Sequence, residues 1–298
     1  MPFKHFSDYD IYYEVHSTGT PLIFLHGLGG STGQIKAIYE KIRGIQLILI
    51  DMKTHGNSTG CSSCITFDNM AADVIAIADE LRLPDFFIAG ISMGAAISLN
   101  ILLNYPERVN KVLLIRNAWI NKPMDDFFIK LYKITADCLT ARNLTALLNT
   151  WEYKKFAVLS RVSANSFIQF FSDPAALTYP DKFRIIPTLA PYVDNEKLCS
   201  VKKEVMILAN HHDPIHPFSY GQFLYDTIPN SKFYEITSKS IDTDMHKEQL
   251  NYFLHKFLLA KLKKFIKILY TVQIVCILLH RYIYAKQSYV ALYENTKP

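Results

Sequence analysis

The sequence predicts an α/β fold, a mostly parallel sheet covered by helices and interrupted by a long helical insertion. Three observations carry this. Short, continuously apolar runs alternate with helical periods over the first 115 residues, and such runs fit strands buried on both faces, as in parallel sheets. One run ends in Gly90-Ile91-Ser92-Met93-Gly94, the pattern of a sharp strand-to-helix turn that exposes a serine. From about Ala118 to Lys197 the strand signals fade and helical periodicity dominates, with many aromatics, before strand character returns.

The elements follow in order. Ile11 to Val15 reads as a strand. Pro21 to Leu25 is a short buried strand ending at His26-Gly27-Leu28-Gly29-Gly30, and Gln46 to Ile50 is another, ending at Asp51. Met70 to Leu81 has the period of an amphipathic helix, with Asp68 expected as its N-cap. Phe86 to Ala89 leads into the serine turn. A helix is expected from about Ala95 to Asn104, then a strand at Lys111 to Ile115. Phe127, Phe128, Tyr132, Trp151, Tyr153, Phe156, Phe167, Phe170 and Phe171 mark the insertion, and most of them are expected to pack its own core. Strands return at Val205 to Ala209 and Lys232 to Ile236, and a helix is expected after His246, ending near Phe257. The chain thus divides into a core (1–117 and 198–259), a helical cap (118–197) and a tail (260–298).

At 298 residues, half of them hydrophobic and a fifth charged, the chain can bury a sizeable core and reads as globular. The net charge is a mild +5, and basic residues thicken only at Lys261, Lys263, Lys264 and Lys267. Without a continuous basic stripe, nucleic acid is not an expected partner. Five scattered cysteines fit reduced thiols. Cys61-Ser62-Ser63-Cys64 has no second pair and reads as two loop cysteines, so no metal is expected. Met1 to Phe6 carries no secretory pattern, and a cytoplasmic location is the expectation. In the tail, Leu258, Leu262, Phe265, Ile266 and Leu269 share one helical face and Lys263, Lys264 and Lys267 the other. The uncharged run Ile268 to Leu279 is too short to span a bilayer, which needs about 20 residues. Contact with a membrane surface, packing on the domain and self-association all remain open for it.

A serine hydroxyl needs a base to take its proton, and the base needs a carboxylate to orient it. Ser92 is the candidate nucleophile. Asp213, after the strand Val205 to Ala209 and a short loop, is the candidate acid. His246, between the last strand and the last helix, is the candidate base. His255 and His280 are less suited by position, and His211, His212 and His216 read as a solvated loop. The order Ser, Asp, His suits a triad on an α/β sheet. Backbone amides of Leu28 and Met93 are the candidate oxyanion donors. Gly27, Gly29 and Gly30 let the first loop approach closely.

These residues resemble the α/β-hydrolase superfamily, and within it the small capped serine hydrolases. His26 to Gly30 looks like the oxyanion loop, Asp51 to Ser58 like the family's Asp-x-Arg-Gly-His-Gly-x-Ser segment, Gly90 to Gly94 like the nucleophile elbow and Ala209 to Pro217 like the acid loop. Tyr105 to Val109 is also similar, and the likeness spans about residues 10 to 258. It implies an eight-stranded, mostly parallel sheet with a helical cap after the sixth strand. Two departures stand out: Lys53-Thr54 replaces the usual Arg-Gly, and Met245 precedes His246 where the family has glycine. The expected activity is cofactor-independent hydrolysis of a small carboxylic ester, thioester or lactone with an apolar portion. A carbon–carbon bond hydrolase, an acyltransferase and a non-catalytic ligand-binding homologue are the rivals. Substrate identity and oligomeric state are not legible.

Overall fold

The computed structural model describes residues 2–259; the tail expectations for 260–298 fall outside them. Met1–Leu254 form one compact unit and His255 opens a second, of which residues 255–259 are described. Sheet and helical insertion therefore share a unit.

Eight strands form one sheet: β1 (Phe3–His5), β2 (Asp10–His16), β3 (Thr20–Leu25), β4 (Ile45–Ile50), β5 (Phe86–Ile91), β6 (Val109–Ile115), β7 (Glu204–Ala209) and β8 (Ser231–Glu235). Their order is β1-β2-β4-β3-β5-β6-β7-β8. β1 and β2 pair antiparallel at one edge, and every later pairing is parallel. Leu25 is in register with Ile50 and Gly90, Ile91 with Ile115, and Ala209 with Glu235. The carboxyl ends of β3, β5, β6, β7 and β8 therefore finish along one edge, where their loops can meet.

Burial explains the strands. Leu22, Ile23, Phe24 and Leu25 have no exposed surface, and Ile48, Leu49 and Ile50 have almost none. Each such side chain contributes about 1.5–3 kcal/mol when fully buried. Helices α1 (Thr32–Ile38), α2 (Phe67–Glu80) and α3 (Met93–Asn104) follow β3, the loop after β4, and β5. The N-cap of α2 is Thr66, whose hydroxyl accepts from the Asn69 amide, while Asp68 lies in the first turn. Asp68 was expected as the cap; Thr66 sits three residues before Asn69, the spacing a hydroxyl cap needs. Helix α3 begins at Met93, earlier than its sequence suggests, and is buried from Met93 through Leu102. Small residues permit that depth. A Cβ on Gly94 would lie 2.4 Å from the Leu25 carbonyl oxygen, and one on Gly90 2.0 Å from the Gly94 carbonyl oxygen.

Between β6 and β7 the chain is helical: α4 (Asp126–Thr140), α5 (Leu144–Asn149), α6 (Trp151–Leu159), α7 (Arg161–Gln169), α8 (Pro174–Thr178), α9 (Lys182–Ile185) and α10 (Glu196–Cys199). Its aromatics mostly pack on one another. Phe167 has ring neighbours Tyr132, Phe156 and Phe170 at 4.8, 5.5 and 5.4 Å, and Phe170 meets Phe183 at 4.6 Å. Trp151 is the exception, being 63% exposed. One buried cation ties this layer to the sheet loops: Lys182 Nζ donates to the Thr54 carbonyl at 2.6 Å and to Ala175 at 3.2 Å.

Helices α11 (Phe218–Thr227) and α12 (Thr243–Leu258) flank β8. Here the structure departs from expectation. His246 does not precede the last helix; it lies in that helix's first turn. The Asp242 carboxylate accepts from the Met245 amide at 2.9 Å, so Asp242 caps the helix and moves its start ahead of the histidine. No helix among the described residues is long and apolar enough to cross a membrane.

Candidate active site

Ser92 sits between β5 and α3 with φ 56° and ψ −111°. Left-handed φ is unusual for a residue with a Cβ and costs about 1–3 kcal/mol unless its surroundings enforce it. They do so here. Its amide donates to Ile115 O at 3.0 Å, and its carbonyl accepts from Ala96 at 3.1 Å as the first bond of α3. The side chain faces a cavity of about 510 Å³. The amide of Met93, first in the helix, has no intrahelical acceptor and lies where the helix dipole favours negative charge.

The loop after β3 closes on the same side. A Cβ on Gly27 would be 3.4 Å from Ser92 Cβ. Leu28, Gly29 and Gly30 line the cavity, and Gly30 N donates back to Gly27 O at 2.9 Å. The loop is held from three directions. The Gly27 amide donates to Gln34 Oε1 at 2.8 Å. His26 Nε2 accepts from the Met52 amide at 3.0 Å, which leaves Nδ1–H to donate to Gly27 O at 2.8 Å. Asp51, wholly buried, accepts from the Thr32 amide at 2.6 Å and the Asn57 amide at 2.8 Å. Gly56, at φ 52°, is needed beside it: a Cβ there would fall 2.1 Å from Asp51 Oδ2.

The departure at Lys53-Thr54 has a visible cost. Thr54 takes φ 66°, a strained angle for a β-branched residue, and it is the position where glycine is usual. Lys182 on its carbonyl helps to hold it. Lys53 Nζ lies 3.6 Å from the Tyr9 ring centroid and 3.6 Å from Asp73 Oδ2.

Asp213 follows β7, lines the cavity and is buried. Its Oδ2 accepts from Arg116 Nε at 3.0 Å and Nη2 at 2.7 Å. The same oxygen lies 2.9 Å from His216 Nδ1, while Oδ1 is buried with no hydrogen-bond partner among the described residues. Burial opposes the ionised form, yet His216 and Arg116 together hold this carboxyl well below the usual carboxylate range.

The expected base is not at this carboxylate. His246 is buried and its Nδ1 lies 2.7 Å from the Thr237 carbonyl, as donor. It makes no hydrogen bond to Asp213 and is not part of the cavity wall. Burial and the nearby Arg116 guanidinium push it down to about 4, so the ring is neutral at pH 7. The capped start of α12 turns it toward β8's own loop. In its stead Ser238, Lys239 and Ser240, directly after β8, line the cavity. Burial, reinforced by Arg116, pushes the Lys239 ammonium down to about 8.

Two further residues escaped the sequence reading. Arg116, at φ 52° just past β6, lines the cavity and holds Asp213; an arginine at the carboxyl end of a buried strand was the available signal. His216 is no solvated loop residue but is buried and lines the cavity, whereas His211 and His212 are exposed as expected. Cys61 and Cys64 are exposed free thiols. Among the described residues no group of three or more His, Cys, Asp or Glu side chains could hold a metal ion.

Residues 20–238 match the family described as the alpha/beta hydrolase fold, and the chain belongs to that family. It is similar to a putative carbamate hydrolase, RutD, from Azorhizobium caulinodans, with 26% identity over 79% of this chain and 89% of that one. A probable alcohol acetyltransferase from Cyberlindnera jadinii is 28% identical over 50% of this chain, which spans 44% of that protein. Among solved structures, MGS-M2, an alpha/beta hydrolase enzyme from a Medee basin deep-sea metagenome library, has a TM-score of 0.70 at 18% identity, covering 86% of this chain and 97% of that one.

Proposed function

We propose that this protein is a serine hydrolase that cleaves a small carboxylic ester, thioester or lactone through an acyl-enzyme on Ser92. The strained turn that presents Ser92 to a cavity of about 510 Å³, opposite Leu28, carries this reading. Ser92 Oγ attacks the substrate carbonyl carbon. The resulting oxyanion takes hydrogen bonds from the Leu28 and Met93 amides, fixed donors that need no reorganisation. Collapse expels the alcohol or thiol, and water releases the acid. Asp213 is the orienting carboxylate. Tyr132, Phe167 and Phe170 on the cavity wall favour a substrate with an apolar portion.

The named activities of the relatives, a carbamate hydrolase and an alcohol acetyltransferase, both involve acyl carbonyl chemistry. The acetyltransferase is the reason to include an acceptor alcohol in the assay. A fluorophosphonate probe and a panel of nitrophenyl esters of increasing acyl length test the proposal. Wild type is expected to label and turn over short esters, and Ser92→Ala to do neither. Full activity in Ser92→Ala, or a folded wild type that neither labels nor turns over any ester, refutes it.

A further inference from the structure

We propose that His216, rather than a histidine after the last strand, accepts the Ser92 proton; this rests on Ser92 being the acylated nucleophile. His216 sits three residues past Asp213 on the loop after β7, and its side chain is only 8% exposed. Nδ1 faces Asp213 Oδ2 at 2.9 Å. Nε2 is buried and has no hydrogen-bond partner among the described residues. A buried, unpaired ring nitrogen calls for an explanation. The ring lines the same cavity as Ser92, Leu28 and Asp213. A base needs one ring nitrogen beside a carboxylate and the other unpaired, and His216 has both on a ring that borders the hydroxyl's cavity.

Arg116 Nη2 lies 3.2 Å from the same Nδ1. Two tautomers therefore compete. With its proton on Nδ1 the ring donates to Asp213, and Nε2 carries the lone pair a base requires. With its proton on Nε2 the ring accepts from Arg116 and is idle. A hydrogen bond from the Ser92 hydroxyl to Nε2 selects the first, because only that tautomer has its lone pair there. The two groups are not hydrogen-bonded to each other in the structure, and such bonds characteristically tighten only when substrate is bound. In the step itself Oγ–H gives its proton to Nε2 as the Oγ–C bond forms, and the carbonyl electron pair moves to the oxyanion. On collapse the bond to the leaving oxygen breaks, and that oxygen takes the proton from Nε2. Water repeats the cycle on the acyl-enzyme. The charged groups around the ring are the Asp213 carboxylate, which supports the imidazolium, and Arg116 and Lys239, which oppose it.

The test is the rate of fluorophosphonate labelling of the full chain from pH 5 to 10. It uses wild type, His216→Ala, the nearly isosteric His216→Gln, His246→Asn and Lys239→Met, each checked for folding by thermal melt. Wild-type labelling is expected to level off by about pH 7. Both His216 variants should label ~10²–10⁴-fold more slowly, and added imidazole should partly restore His216→Ala. Folded His216 variants that label at the wild-type rate overturn the proposal. So does a comparable loss confined to His246→Asn. A wild-type rate that instead climbs through pH 8 and vanishes in Lys239→Met also overturns it, assigning the base to the lysine. If His216→Ala fails to fold, His216→Gln and the wild-type profile still decide. Wild type that never labels refutes the Ser92 reading itself, an outcome separate from these.

Discussion

Replacing Asp51 with alanine tests how the glycine loop after β3 is held. Asp51 lies at the end of β4, with none of its surface exposed. One carboxylate oxygen accepts from Thr32 N at 2.6 Å, and the other from Asn57 N at 2.8 Å and Asn57 Nδ2 at 3.3 Å. Alanine removes all three acceptor contacts. Thr32 is buried, so its amide is left without a partner. Asn57 is exposed, so its groups recover water. One orphaned buried donor costs about 1–3 kcal/mol, and the charge-assisted bonds lost elsewhere add about 1. The expected loss is thus about 2–4 kcal/mol. Asp51→Asn, which keeps one acceptor oxygen, should lose about half as much. Urea unfolding at pH 7 reads this as a lower midpoint at unchanged slope. Because Thr32 follows the glycine loop directly, ester turnover should also fall, by about 10- to 100-fold in kcat with little change in KM, since a displaced donor is felt mainly in the transition state. A loss under about 1 kcal/mol with normal kcat would show that Asp51 does not hold this loop.

Gly90→Ala drives a Cβ to 2.0 Å from the Gly94 carbonyl oxygen, a backbone atom with no room to yield; it should cost about 3 kcal/mol or more, seen as a Tm lowered by about 6 °C or more. His246, neutral and held down to about 4 in the fold, takes up a proton near pH 6.5 once unfolded. The unfolded chain then binds more protons between those values, so stability falls as pH drops from about 6.5 to 4, by about 3 kcal/mol in all from this group. His246→Asn should flatten that acid limb in denaturation curves, and an unchanged limb would show that the ring is not buried neutral.

The sheet was largely legible because continuous apolar runs of five or six residues admit few arrangements other than parallel strands buried on both faces. The serine turn was legible for the same local reason: Gly90 and Gly94 surround a residue whose backbone must turn sharply, and their spacing is written in five consecutive residues. Helix starts were less so. Thr66 and Asp242 each cap a helix earlier than apolar periodicity suggests, because a cap is one side-chain hydrogen bond and leaves no periodic trace. The second of these errors moved the expected base. Sequence order placed a histidine after the last strand, but not the direction of its ring, which the first turn of α12 sets toward Thr237.

By itself, then, the sequence determined the α/β architecture, the sharp turn at Ser92, the glycine loop beside it and the place of Asp213 on the loop after β7. Each is a local pattern whose hydrophobic period or backbone demand is complete within about ten residues. Only the tertiary structure decided what meets the Asp213 carboxylate. Arg116 directly follows β6 and His216 lies on the loop after β7, and their convergence depends on parallel register between those two neighbouring strands. Side-chain convergence of that kind is set by packing across the sheet, to which spacing along the chain is blind.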